Sequence, residues 1–168
     1  MTAADHFLGF GALALRLDVV LEGWRAGIIE STDVIDVATQ RLALGLELEP
    51  SEEALAFMLS DEVDDAEFLL RGIRTQRPKA SNLGQRMVTF SRLMAILDDW
   101  ESIDLPELAA EQLFEEAGDL PAYSSARLYH PLPGARLSKK AHLQRLRDAA
   151  MAERMSIETA AKTSRHSG

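Results

Sequence analysis

The chain has 168 residues, 46% of them hydrophobic and 6% aromatic, with 27 acidic and 18 basic side chains for a net charge of −9. It has no cysteine, which excludes thiol chemistry, thiolate metal sites and a disulfide framework and suits a reducing cytoplasm. One compact domain of this size buries roughly 70% of its unfolded surface, enough to hold a core without a metal.

The first long apolar run, Phe7 to Leu15, falls short of the roughly 20 residues a membrane-spanning helix needs. Met1 to His6 carries Asp5 and no basic leader, so export through a secretory signal is not expected and the chain is placed in the cytoplasm. Phe7, Phe10, Ala14, Leu17, Leu21 and Trp24 recur at alternating spacings of three and four, which predicts one helix ending at Gly27. Ser31 or Thr32 is expected to cap a second helix carrying Val34, Ile35, Ala38 and Leu42. Pro50-Ser51-Glu52-Glu53 starts a short third helix, with the serine as cap and acidic residues in the first turn meeting the positive end of the helix dipole.

Ser60 and Asp61 are placed as the cap of a fourth helix whose stripe is Val63, Ala66, Leu70 and Ile73, ending near Gly72 before Pro78. Leu83, Met87, Phe90, Met94 and Leu97 form a wide stripe that predicts a central helix. Pro106 opens a sixth helix and Gly118 closes it. From Asp119 to Leu137 there is no helical period, although Tyr123, Leu128 and Tyr129 are apolar anchors. Ser138 caps a basic last helix with Leu143, Leu146, Ala150, Met151 and Ile157. Period-two alternation is nearly absent, so the chain is expected to be an all-α single domain of about six to eight helices, a bundle or a short array of helical hairpins. Residues 1–137 form its acidic part, and residues 138–168 a basic C-terminal helix with a frayed tail.

No residue constellation announces a reaction, and the chain is read as non-enzymatic. His6, His130, His142 and His166 are scattered without zinc-motif spacing, so no metal and no cofactor are expected. Gly9-Phe10-Gly11 lacks a third glycine and falls within the first helical stripe, where it permits close packing and not dinucleotide binding. The adjacent pairs Asp64-Asp65, Asp98-Asp99 and Glu115-Glu116 point about 100° apart on a helix and do not share one site.

Charge is distributed in blocks. Residues 1–70 hold 15 acids and 3 bases, residues 71–100 hold 2 and 6, residues 101–120 hold 7 and none, and residues 121–168 hold 3 and 9. Between Arg41 and Arg71 lie Glu47, Glu49, Glu52, Glu53, Asp61, Glu62, Asp64, Asp65 and Glu67 with no base among them. Glu107, Glu111 and Glu115 repeat at i, i+4, where each like-charge pair costs roughly 0.2–0.5 kcal/mol in an isolated helix. Two accounts are open. The acidic faces can be neutralised by Arg71, Arg74, Arg77 and the helix bearing Lys139, Lys140, Arg145 and Arg147, in solvated pairs each contributing about 0–1 kcal/mol. Alternatively one acidic face stays free to steer and select a basic protein. Nucleic-acid binding by the whole domain is disfavoured by its charge.

Two segments resemble a known family. Leu21-Glu22-Gly23-Trp24-Arg25-Ala26-Gly27 leading into Ser31-Thr32-Asp33-Val34-Ile35-Asp36-Val37-Ala38 looks like the opening of a bacterial helical domain family of unknown function. Asp104-Leu105-Pro106-Glu107 through Leu113 to Pro121, then Arg127-Leu128-Tyr129-His130-Pro131, resembles that family's closing pattern, although the Tyr129-His130-Pro131 turn departs from it. The resemblance spans roughly residues 20–135 and leaves the basic last helix unmatched. It implies a small, helical, cytoplasmic protein similar to the immunity proteins of polymorphic or contact-delivered toxin systems, many of whose toxins are basic nucleases. It carries no catalytic residues.

The expected function is therefore a protein-binding module that neutralises a cognate toxin or other basic protein. Glu52, Glu53, Asp61, Glu62, Asp64, Asp65, Glu107, Glu111 and Glu115 are the candidate partner-binding residues. The alternatives are a small helical enzyme or metal-binding domain with Asp64, Asp98 and Glu111 converging in a cleft, and a DNA-associated regulator using Arg136 to Arg154.

Overall fold

Every regular element among the described residues is helical. The computed structural model describes residues 1–58, 62–73, 82–118, 120–127 and 138–164. Where the three-and-four spacing predicts one long helix, the chain instead forms α1 (Ala3–Leu8), a 3-10 turn at Gly11–Leu13 and α2 (Leu17–Arg25). The break is made at Gly11, whose φ of 57° lies in the left-handed region that side chains disfavour. Gly9-Phe10-Gly11 thus sits at the interruption and not inside a helix. Phe7, Phe10, Ala14 and Leu21 are nevertheless buried on both sides of it, so the stripe reports their burial and not an unbroken backbone.

Helix α3 (Ser31–Ala43) begins one residue earlier in chemistry than expected. Glu30 is its N-cap, and the Glu30 amide donates to the Asp33 carboxylate at 2.8 Å. The Ser31 hydroxyl is used elsewhere, accepting from the Trp24 indole N–H at 3.1 Å and tying the end of α2 to the start of α3. Helix α4 (Pro50–Ala56) takes Glu49 as its N-cap and Pro50 as its first residue, so Ser51 lies inside the helix and is not its cap, and α5 (Val63–Gly72) has Glu62 at its N-cap. The predicted cap residues Ser60 and Asp61 lie outside the described residues.

The chain falls into two compact units, residues 7–88 and residues 1–6 with 89–168, the boundary falling within α6 (Leu83–Asp98). In residues 7–88, α3 packs on α2, α4 and α5, and α4 packs on α5. Phe7, Val19, Leu21, Leu55, Leu70 and Met87 are fully buried there. The Phe7 ring lies so close to α2 that a Cβ at Gly23 would come within 2.8 Å of it.

The second unit contains α7 (Pro106–Ala117), a 3-10 helix at Pro121–Ala126 and α8 (Lys139–Ser164). Pro106 and Gly118 bound α7 as predicted, and its N-cap is Leu105 in a left-handed conformation with φ 70°. Ser138 caps α8, its hydroxyl accepting from the Ala141 amide at 3.2 Å. The 3-10 helix orders part of the stretch predicted to be aperiodic: α8 packs on it, and Tyr123 stacks on Phe114 with ring centroids 5.0 Å apart. Leu128 and Tyr129, the other expected anchors, lie outside the described residues. His6 Nε2 meets the Asp98 carboxylate at 2.8 Å, and the Met1 amino group approaches it to 3.4 Å. No helix among the described residues is long and apolar enough to cross a membrane.

Candidate functional site

The acidic block of residues 47–67 is divided by the fold into an inside and an outside. Glu52 is only 2% exposed. Its carboxylate accepts from Arg41 Nε, and Arg41 Nη1 donates to the Leu15 carbonyl at 2.9 Å. Glu67 is paired with Arg71 one helical turn away at 3.0 Å. Glu47, Glu49, Glu53 and Asp65 are exposed, and their carboxylates make no hydrogen bond or ion pair among the described residues. Glu62 is exposed at the start of α5. Asp61 and the Asp64 side chain lie outside what is described.

The carboxylates of α7 divide in the same way. Glu111 is 2% exposed and accepts from Arg127 Nε at 3.3 Å, which places it in the packing and not on an open face. Glu107 is half-buried and Glu115 exposed, neither with an ion pair among the described residues. Of the nine singled-out residues, then, Glu52 and Glu111 are interior, because a buried carboxylate is retained only where an arginine is brought to it. Both partners come from a different element, so the sequence pattern alone does not mark these two.

Beside the exposed part of the block, residues 7–88 form an open groove of about 1530 Å³. It is lined by the start of α2, the segment joining α3 to α4, and the end of α5. Among the described residues its three arginines each have a partner within the chain. Arg16 holds Asp18 through two hydrogen bonds of 3.1 and 2.9 Å, Arg41 holds Glu52 and the Leu15 carbonyl, and Arg71 holds Glu67. Glu47 and Glu49 line the same groove and have no such partners among the described residues. Among the described lining residues the acids Asp18, Glu47, Glu49 and Glu52 outnumber the three arginines.

An aromatic side chain completes this lining. Phe68 on α5 is 80% exposed, and Phe57 at the end of α4 is 68% exposed. The acidic pattern marks neither residue. A signal for Phe68 existed: with Ala66, Leu70 and Ile73 buried as one stripe, Phe68 falls on the opposite side of α5, where a helix normally carries polar residues.

In the unit of residues 1–6 and 89–168, His142 on α8 is 5% exposed, and its Nε2 has no hydrogen-bond partner among the described residues. Burial pushes its pKa below the ordinary imidazole value of 6.5, with Arg145 acting in the same direction and Glu107 and Glu111 opposing it. The three carboxylates offered for a convergent cleft are not drawn together by any described contact. Asp98 is held by His6, whose hydrogen bond lowers its pKa, and Glu111 by Arg127, while the Asp64 side chain is outside the description. Among the described residues there is no group of three or more His, Asp or Glu able to hold a metal ion. No family model, no curated protein and no solved structure matches this chain.

Proposed function

We propose that this chain is a non-enzymatic protein-binding module, most concretely a cytoplasmic immunity protein that neutralises a basic toxin domain. The observation that carries the reading is the set of exposed carboxylates Glu47, Glu49, Glu53 and Asp65, which have no ion pair or hydrogen bond among the described residues, while Arg16, Arg41 and Arg71 of the same unit are committed to Asp18, Glu52 and Glu67. A surface of one sign raises the encounter rate with an oppositely charged protein and repels wrong partners. The resemblance to toxin-immunity proteins points the same way, since the expected partners are basic. A few apolar anchors supply most of the affinity in such interfaces, and the carboxylates supply rate and selectivity.

The test is association with the toxin domain encoded beside the gene. A stable complex that blocks the toxin's activity is expected, and the double reversal Glu53→Lys with Asp65→Lys should lower the association rate by about tenfold or more at low ionic strength. Absence of any complex, or an unchanged association rate for the double reversal, defeats the reading. A second reading, nucleic-acid contact through α8, draws on Lys139, Lys140 and Arg147, which are exposed and form no ion pair among the described residues. A linear fall of log affinity with log salt on a DNA duplex would favour it.

A further inference from the structure

We infer that the groove of residues 16–73 is the seat for an extended basic segment of the partner, with alternating cationic and apolar side chains. The cationic heads would meet Glu47 and Glu49 and the apolar side chains would cover Phe68. This inference rests on the binding reading above and narrows it to one surface.

Three properties of the groove select that occupant. First, each arginine that lines the groove among the described residues already has an acidic partner in the chain. Arg16 is satisfied by Asp18 in a bidentate pair, Arg41 is divided between Glu52 and a backbone carbonyl, and Arg71 reaches Glu67. Second, Glu47 and Glu49 are two residues apart in the non-helical segment before α4, and both line the groove. That spacing suits two cationic side chains from an alternating segment, because successive side chains of an extended chain point to opposite faces. Third, Phe68 lines the groove at 80% exposure, so a visiting apolar side chain or an arginine plane removes a large aromatic face from water. Charge alone would select any polycation; Phe68 adds the demand for an apolar or planar group.

The probes are three short fluorescein-labelled peptides alternating arginine with leucine, arginine with serine, and glutamate with leucine, titrated with the full chain by fluorescence anisotropy. The arginine–leucine peptide should bind most tightly. Phe68→Ala and the pair Glu47→Gln with Glu49→Gln should each weaken it by about tenfold, a ratio corresponding to about 1.4 kcal/mol. All three altered side chains are exposed, so folding is retained. Amide resonances of Glu47, Glu49, Phe68 and Leu69 should shift on binding. If basic peptides bind but these variants leave affinity unchanged while Glu53→Gln with Asp65→Gln weakens it, the groove is not the seat although the acidic-surface reading stands. Failure of every basic peptide to bind overturns both. Preference for the glutamate peptide, or a dimer of the chain that Phe68→Ala abolishes, assigns the groove to another occupant and overturns the inference.

Discussion

Replacing Arg41 with leucine isolates a buried charge, and the structure sets the size of the effect. Glu52 is 2% exposed and Arg41 supplies its counter-charge, while the same guanidinium satisfies the Leu15 carbonyl at 2.9 Å. Removing one partner of such a buried pair costs about 3–5 kcal/mol, because the remaining carboxylate stays desolvated without compensation. A chain of this class is stable by only about 5–15 kcal/mol in total. At about 2–4 °C for each kcal/mol, Arg41→Leu should lower Tm by roughly 6–20 °C. The double variant Arg41→Met with Glu52→Leu removes both charges and should recover most of that loss. Melting followed by far-UV circular dichroism, with urea titration alongside, reads all three proteins. A cost below about 1 kcal/mol for Arg41→Leu, or a double variant no better than the single one, would refute the assignment of Glu52 as a buried, arginine-dependent carboxylate.

Further outcomes follow from other contacts. His142 has a folded-state pKa below its ordinary value of 6.5, so the unfolded chain takes up its proton first as pH falls. The wild type should therefore lose stability as pH drops below about 6.5 relative to His142→Leu, which lacks this proton linkage; parallel profiles from pH 7.5 to 5 would contradict it. Gly23→Ala places a methyl 2.8 Å from the buried Phe7 ring and should cost about 1–3 kcal/mol in urea unfolding. Phe114→Ala removes the partner of Tyr123 and should cost about 3–5 kcal/mol, with loss of the tyrosine signal in near-UV circular dichroism.

Helix starts with local chemistry are legible in the sequence. Pro50, Pro106 and Ser138 act within a few residues of themselves, and α4, α7 and α8 begin where they indicate. The break between α1 and α2 is not legible from hydrophobic spacing, because Phe7, Phe10, Ala14 and Leu21 are all buried whether or not the helix continues past Gly11. Electrostatics are the hardest to read. Glu52 and Glu53 are neighbours of identical type, yet one is interior and the other exposed, and what separates them is Arg41, eleven residues away and delivered by a different helix. Glu111 is likewise drawn inside by Arg127. The exposed aromatic of the groove escapes a charge pattern for the opposite reason: Phe68 is neutral, although its place off the buried stripe of α5 already sets it apart.

The exposed carboxylates Glu47, Glu49, Glu53 and Asp65 also determine what accompanies the free protein in solution. Small cations gather over such a face within about 8 Å, the Debye length at physiological ionic strength. Any macromolecule settling there must expel that cloud, and the liberated ions gain translational freedom. Docking at this face should thus be driven largely by entropy, with only a small heat in calorimetry.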